Sequence, residues 1–416
     1  KTQVFGTEQE MWSRSSSLLR GSAASAALAL GCAIGATTTT GGHQSLSSYV
    51  LAPSSALPPS PLVAMCEGKD AINMNSSATV EEGLTTKRMY FYSSPSPPPN
   101  TVLFALPSSK TLAKDTAKLL QLPLGKMQVG SYADGETALQ YEAPIRGKHV
   151  FLFCSTVSSN SIIQLLLSVS AARRASAKTV NVILPYYGYS RQDMKRKREP
   201  ITAADFALML REMGADHLLT LDLHNDSVLG FHDPNSVTVD HLQATSVAAN
   251  WFAEEVGGQD GDVVVVAPHE GQVARANHFR SRLARETGGD VGLAFISKSS
   301  KSRGEELSKP LLVGDVAGKK VIVVDDIVSS GETMERAAIL AKDAGAVAAY
   351  GYATHAIFST PDSRSRSAKE LEFLLVSNTI YQETMPEGVK RLSVAPLVAE
   401  AIARVVGKGS VSDITK

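Results

Sequence analysis

The chain has 416 residues, with 41 Lys+Arg against 41 Asp+Glu, so its formal net charge is zero. That balance gives no global positive field to draw in nucleic acid, and 6% aromatic residues are poor material for base stacking. With 43% hydrophobic residues the chain can bury an ordinary core; of its three cysteines Cys32 and Cys66 lie in an N-terminal stretch that looks removable, and Cys154 left alone excludes both a secreted disulfide scaffold and a cysteine-based zinc site.

Residues 1–100 read as a targeting segment and linker. From Met11 to Cys66 there is no Asp, Glu or Lys, and the only full positive charges are Arg14 and Arg20. Ser, Ala, Thr, Gly and Pro dominate, which is the composition of an organelle transit segment. The apolar run Ala23–Ala36 is too short to span a bilayer comfortably. Ser94-Pro95-Ser96-Pro97-Pro98-Pro99 closes the stretch as an extended linker. A plastid or mitochondrial destination fits this leader; without a working leader the protein stays in the cytoplasm. No other segment has the length and apolarity of a membrane span.

From Thr101 the pattern changes. Short Val/Ile/Leu runs predict strands at Thr101–Leu106, His149–Cys154, Thr179–Leu184, His217–Asp222, Val263–Ala267, Gly292–Ser297, Lys320–Val324 and Val347–Ala353. Between them, helical patterns fall at Lys110–Gln121, Ser161–Arg174, Ala203–Met213, Gln243–Glu255, Gly271–Glu286 and Gly331–Ala344, with a final helix at Val394–Val406. Strand and helix in alternation predict an α/β fold of parallel sheets with helices on both faces. The length predicts two domains, 101–245 and 246–392, joined near Asp240–Val247, followed by a terminal segment 393–416. Cys154 reads as a small buried hydrophobe.

In such sheets ligands bind beyond the carboxyl ends of the strands. Four strand exits carry unusual polar residues. Val321 to Val324 lead into Asp325-Asp326-Ile327-Val328-Ser329-Ser330-Gly331-Glu332-Thr333. Here two carboxylates stand ahead of a loop of small residues that opens a helix. Backbone N–H groups at a helix start suit a phosphate, and the carboxylates suit two vicinal hydroxyls or Mg²⁺. A ribose 5-phosphate moiety carries both features. The second exit is Pro185-Tyr186-Tyr187-Gly188-Tyr189-Ser190-Arg191-Gln192-Asp193, backed by Lys195–Arg198. Arg191 offers a planar fork for phosphate oxygens, whereas Lys195–Arg198 alone reads as a solvated basic loop. The third, Asp222-Leu223-His224, places an imidazole where it can ligate a metal or meet a phosphate. The fourth is Pro268-His269-Glu270-Gly271-Gln272-Val273-Ala274-Arg275.

Taken with Tyr132-Ala133-Asp134-Gly135-Glu136 and Pro200-Ile201-Thr202-Ala203, these blocks resemble the ribose-phosphate diphosphokinase (phosphoribosyl pyrophosphate synthetase) family from about Val102 to Val406. The Asp-Asp loop alone is shared with all type I phosphoribosyltransferases, so the order and spacing of the blocks carry the resemblance. Ser-Ser-Gly-Glu-Thr, with Ser329 where an Asp is usual, leans toward divergent plant-type members and ordinary phosphoribosyltransferases. The resemblance implies two tandem type I phosphoribosyltransferase-like domains, each a mainly parallel sheet flanked by helices, with the terminal helix packing back on the first domain. It implies diphosphoryl transfer from ATP to ribose 5-phosphate with Mg²⁺ as cofactor. It implies homo-oligomers of dimers assembling to hexamers, with room for paralogues. The ATP side falls to Tyr132, Asp134 and Glu136 from a neighbouring subunit and to Arg191, Gln192 and His224. The ribose 5-phosphate side falls to Asp325, Asp326, Ser329, Ser330, Gly331 and Thr333. His224 and His269 fall on metal-binding positions, His269 where the family has an Asp. Glu270-Gly271-Gln272 stands where the family has a Gly-Gly-containing turn. Lys298 matches the Lys of a mobile catalytic loop, Ser300 stands where its Arg is expected, and Lys301 or Arg303 could substitute. Arg191 joins these as a catalytic cation. The Ser158-Ser159-Asn160-Ser161 region is shorter than the family's usual Asn-Asp-Asn-containing loop. Two other functions stay open: a catalytically weak regulatory subunit of the same family, and a nucleobase phosphoribosyltransferase, against which the Arg-Gln-Asp block speaks.

Overall fold

The computed structural model describes residues 98–257, 262–297 and 310–414. In chain order its elements are β1 (Thr101–Ala105), α1 (Lys110–Leu119), β2 (Met127–Ser131), β3 (Thr137–Tyr141), β4 (His149–Phe153), α2 (Ser159–Arg174), β5 (Thr179–Leu184), α3 (Thr202–Met213), β6 (His217–Leu221) and β7 (Thr238–Leu242). There follow α4 (Thr245–Glu255), β8 (Val263–Ala267), α5 (Val273–Thr287), β9 (Gly292–Ser297), β10 (Leu311–Val313), β11 (Lys320–Val328), α6 (Glu332–Asp343), β12 (Ala348–Ala356), α7 (Pro361–Ala368), β13 (Leu374–Ser377), β14 (Val389–Leu392) and α8 (Ala395–Gly407).

Apolar residues occupy both faces of the central strands, which is why these segments read as continuous runs rather than alternating ones. In β4, Val150 and Leu152 point to one core while Phe151 and Phe153 point to the other. In β11, Val321 and Val323 face one side and Ile322 and Val324 the other. Each sheet therefore needs helices on both faces. The first, in the order β1-β4-β5-β6-β7, is wholly parallel. It is covered by α2 and α3 on one side and by α1 and α8 on the other. The second runs β10-β9-β8-β11-β12-β13-β14 and is parallel except for β10. Its faces are covered by α4 and α5 and by α6 with the segment after it.

The terminal helix α8 crosses back to the first sheet. Leu397, Val398, Ala401 and Ile402 are fully buried there with Leu112 and Ala113 of α1 and Phe151 and Phe153 of β4. Burying one such Leu or Val side chain contributes about 1.5–3 kcal/mol.

Several boundaries differ from the sequence expectation. β11 continues four residues past Val324, because β12 is long enough to pair it as far as Val328. The join expected at Asp240–Val247 begins inside β7, an edge strand whose Asp240 and His241 masked its period. α2 begins at Ser159, two residues ahead of the expected Ser161, with Ser158 at its cap. The Ser158 side chain accepts from the Ser161 N–H at 3.2 Å and the Ser161 hydroxyl lies 3.0 Å from the Ser158 N–H, a reciprocal cap. Gly331 precedes α6 rather than opening it, and a short 3-10 turn separates β8 from α5. The hairpin β2–β3 and the strands β7, β10, β13 and β14 were not expected. β10 and β14 are short edge strands: β10 is three exposed or half-buried apolar residues, and β14 sets exposed Lys390 and half-buried Arg391 between buried Val389 and Leu392.

Candidate active site

The second sheet reverses its winding at β8. From β8 the chain steps outward to β9 and then returns to the opposite side as β11. A crevice opens at such a switch point. Its depth here comes from unequal strand lengths. β8 pairs only with Lys320–Val323 of β11, while β12 continues the pairing to Val328. The edge of β11 that carries Asp325 and Asp326 is therefore left beyond the reach of β8. The first sheet supplies the opposite wall through the turns after β5 and β6. The resulting cleft has a volume of about 310 Å³, and its lining includes Arg191, His224, His269, Asp325, Asp326 and the segment Ser329–Gly331 with Thr333.

Both acids are buried, at 5% and 2% exposure. They are not equivalent. Oδ2 of Asp326 lies 2.6 Å from Nδ1 of His224, and Oδ1 accepts from Nε2 of Gln272 at 2.8 Å. Burial by itself would raise the Asp326 carboxyl. The His224 hydrogen bond and the positive charge of Arg275 outweigh burial and hold it far below the usual carboxylate range. Asp325 moves the other way. Burial, then the charge of Asp326, push it well above the usual range, even though its Oδ1 accepts the Asp326 N–H at 2.9 Å.

The turn behind the acids is shaped by Gly331, at φ +81°, in the left-handed region. A Cβ there would stand 2.5 Å from Oγ and 2.9 Å from N of Ser367, so the backbone can approach α7 only as glycine. Glu332 donates its N–H to the Ser330 hydroxyl at 3.4 Å, and α6 begins there, with Thr333 and Met334 of its first turn in the cleft lining. Such a loop and helix start suit an anion.

On the opposite wall, β6 is followed at once by Asp222, a non-glycine residue at φ +38° and 1% exposure. This strained conformation persists because its surroundings over-determine it. Its Oδ2 accepts from Oγ1 of Thr354 at 2.6 Å, its Oδ1 lies 3.6 Å from Nη1 of Arg275, and its carbonyl lies 3.2 Å from Nε2 of His355. His355 is buried, and burial holds its imidazole below the ordinary value. A second fastening runs from the Ser155 hydroxyl to the carbonyl of Thr379. The walls of the cleft are thus pinned to each other through buried polar contacts.

Other expected residues fall elsewhere. Gln192 is exposed and its side-chain oxygen accepts from Thr202 Oγ1 at 2.6 Å, away from the cleft lining. Tyr132, Asp134 and Glu136 form the tip of the β2–β3 hairpin, closed by the Tyr132 N–H to Glu136 carbonyl bond of 2.8 Å. They do not line this chain's own cleft, and Tyr132 is 63% exposed. Lys298, Ser300, Lys301 and Arg303 lie outside the described residues.

Residues 101–214 match the model of the N-terminal domain of ribose phosphate pyrophosphokinase, and residues 302–416 match that of the phosphoribosyl synthetase-associated domain. The chain is 38% identical over 321 residues to ribose-phosphate pyrophosphokinase 1 of Streptococcus agalactiae, an alignment covering 76% of this chain and 97% of the relative. The chain belongs to the ribose-phosphate pyrophosphokinase family. A second family member, from Listeria ivanovii, is 37% identical with the same coverage. Among solved structures, phosphoribosylpyrophosphate synthetase from Mycobacterium smegmatis superposes with a TM-score of 0.66 at 34% identity, covering 74% of this chain and all of that one. The α/β fold of the family is therefore the fold of this chain.

Sequence reasoning gave no role to Gln272, Arg275, Thr354 or His355, though the first two lie in the block after β8. What marked them was proximity to Gly271. What hid them was that their partners lie 52 to 133 residues away in the chain, and for Arg275, Thr354 and His355 on the other side of the cleft.

Proposed function

We propose that the protein transfers the diphosphoryl group of ATP to the C1 hydroxyl of ribose 5-phosphate, giving AMP and phosphoribosyl pyrophosphate for nucleotide biosynthesis. The observation that carries this reading is the 2.6 Å bond between His224 and Asp326. It brings a histidine from the exit of β6, beside Arg191, against the acid pair ahead of the anion-binding turn. One cleft then has a place for a polyphosphate and a place for a sugar phosphate.

In this reading the 5-phosphate sits on the Ser329–Thr333 turn, with Gly331 letting the backbone close in. Asp325 and Asp326 accept hydrogen bonds from the vicinal ring hydroxyls. Arg191 presents its fork to the ATP phosphates. The sugar C1 oxygen bonds to the β-phosphorus, the bond from that phosphorus to the bridging oxygen breaks so that the oxygen leaves with AMP, and the hydroxyl proton passes to water. Little covalent chemistry falls to the protein, so alignment and positive charge do most of the work. Lys298, with Lys301 or Arg303, is proposed to supply further positive charge.

The site's donors fit Mg²⁺ in a limited way. Asp326 backs Nδ1 of His224, an arrangement that orients an imidazole for a metal through its other nitrogen. Among the described residues no group of three or more His, Cys, Asp or Glu side chains is set to hold a metal. Mg²⁺ generally takes one or two protein ligands together with waters and substrate phosphates. His224 and His269 would hold it here, and bound Mg²⁺ would neutralise phosphate charge. The exposed hairpin tip supports a homo-oligomer in which Tyr132, Asp134 and Glu136 complete the nucleotide site of a neighbouring copy. The acid-free leader supports delivery to an organelle.

The decisive experiment is AMP formation from ATP with and without ribose 5-phosphate. Sugar-dependent AMP is expected, and a Lys298→Ala variant should lose on the order of 10³-fold in rate. Activity equal in the two proteins, restored only on mixing with a competent paralogue, would favour the regulatory subunit instead. Release of pyrophosphate from a nucleobase and phosphoribosyl pyrophosphate would favour the phosphoribosyltransferase.

A further inference from the structure

Gln272 is 3% exposed at the turn that leads from β8 into α5. It occupies the capping position of α5, yet its side chain makes no cap to the helix. The amide is spent elsewhere. Nε2 donates to Oδ1 of Asp326 at 2.8 Å, and Oε1 accepts from Nε of Arg275 at 2.9 Å. Arg275 reaches on to the Leu223 carbonyl with Nη2 at 2.7 Å. Leu223 is the chain neighbour of His224, and His224 meets the other oxygen of Asp326 at 2.6 Å.

These contacts close a ring: Leu223, Arg275, Gln272, Asp326, His224 and back to Leu223. Both oxygens of Asp326 are held, one from the turn after β8 and one from the turn after β6. An arginine on one side and a carboxylate on the other require a group that accepts at one end and donates at the other, which a side-chain amide does. A carboxylate at position 272 could serve only Arg275, and an apolar chain could serve neither.

We propose that Gln272 is a positioning residue for the sugar half of the reaction. It fixes the plane of the Asp326 carboxylate, so that the acid meets the ring hydroxyls of ribose 5-phosphate in one orientation. It sets affinity for the pentose phosphate and leaves ATP binding to the opposite wall. The inference rests on the assignment of Asp326 to the sugar made above. It goes beyond that assignment by naming a residue that touches neither substrate.

The test uses the full chain and steady-state AMP formation, with each substrate varied separately. Gln272→Met keeps length and shape and removes both hydrogen bonds. It should raise the KM for ribose 5-phosphate about tenfold, the worth of one hydrogen bond to a buried charge. The KM for ATP should stay within about twofold and kcat within about threefold, since uniform binding alone is lost. Gln272→Glu keeps the acceptor for Arg275 but turns an oxygen toward Asp326, and it should be impaired at least as much in the sugar KM. An unchanged sugar KM in both variants, an equal rise in both KM values, or a fall in kcat alone overturns the proposal. If Gln272→Met does not fold, Gln272→Glu decides by the same criteria. Wild-type protein that forms no AMP would sink the functional reading instead. Calorimetric titration of ribose 5-phosphate then judges Gln272 separately. Tenfold weaker binding by the variant supports it, and equal binding, or none by the wild type, overturns it.

Discussion

Asp325 and Asp326 are adjacent on one strand and both buried, yet their carboxyls are displaced in opposite directions. Burial and the neighbouring charge raise Asp325, whereas His224 and Arg275 overcome burial at Asp326. The pair therefore holds one negative charge more readily than two. Asn mimics a neutral carboxyl, so Asp325→Asn should keep kcat/KM for ribose 5-phosphate within about fivefold. Asp326→Asn removes the carboxylate that accepts from Gln272 and meets His224, and with hydrogen bonds to a charged group worth about 1.5–3 kcal/mol each it should lower kcat/KM for ribose 5-phosphate by about a hundredfold. Steady-state kinetics on the two variants check this. Equal losses would contradict the asymmetry.

Gly331 is held in the left-handed region against Ser367 of α7. Gly331→Ala imposes both backbone strain and a clash with Ser367, worth about 1–3 kcal/mol of stability. It should also push back the turn that seats the 5-phosphate. A thermal midpoint lowered by several degrees should accompany a raised KM for ribose 5-phosphate. A lowered midpoint with an unchanged sugar KM would separate the turn from the substrate.

Thr354 donates the 2.6 Å hydrogen bond that meets one oxygen of the buried Asp222. Thr354→Val keeps the shape and leaves that oxygen without its partner. The expected loss is about 1–3 kcal/mol in denaturant unfolding. An unfolding midpoint equal to wild type would show that the Asp222 carboxylate does not depend on Thr354.

His232 predicts a pH effect on stability. Its ring is buried against Tyr187, with Nε2 3.4 Å from the tyrosine hydroxyl, and burial lowers its pKa from 6.5 to about 4. Between those values the unfolded chain binds the proton and the folded chain does not. Folding stability therefore falls as pH drops through 6.5 and the loss completes near pH 4, for a total of about 3 kcal/mol. In His232→Phe this contribution disappears. Denaturant unfolding at pH 7.5 and pH 5 should show a smaller drop for the variant than for the wild type.

Much of the fold was legible because its central strands are apolar on both faces. Val263–Val266 and Val321–Val324 admit few readings other than buried parallel strands, and their bounds differ from expectation only where pairing partners decide. β11 is the case in point: nothing in Asp325-Asp326-Ile327-Val328 shows that β12 will pair with it that far. The cleft's own chemistry was legible where it is local, as in the Ser329–Thr333 turn. The pinning of the walls was not, because Asp222 and Thr354, or His224 and Asp326, are joined only by folding. An edge strand such as β7, with Asp240 and His241 in its middle, gives too weak an alternation to be recognised alone.

The mismatch in length between β8 and β11 means that the seat for small molecules is an unfilled place in a ladder. Its floor is main chain, set by sheet register and not by the reach of any one side chain. Wall residues such as His269 can then vary while the hollow survives. Lengthening β8 by two or three residues would be more damaging than most point changes, because the new backbone would take up the hydrogen-bonding edge that β11 now offers to the space in front of it.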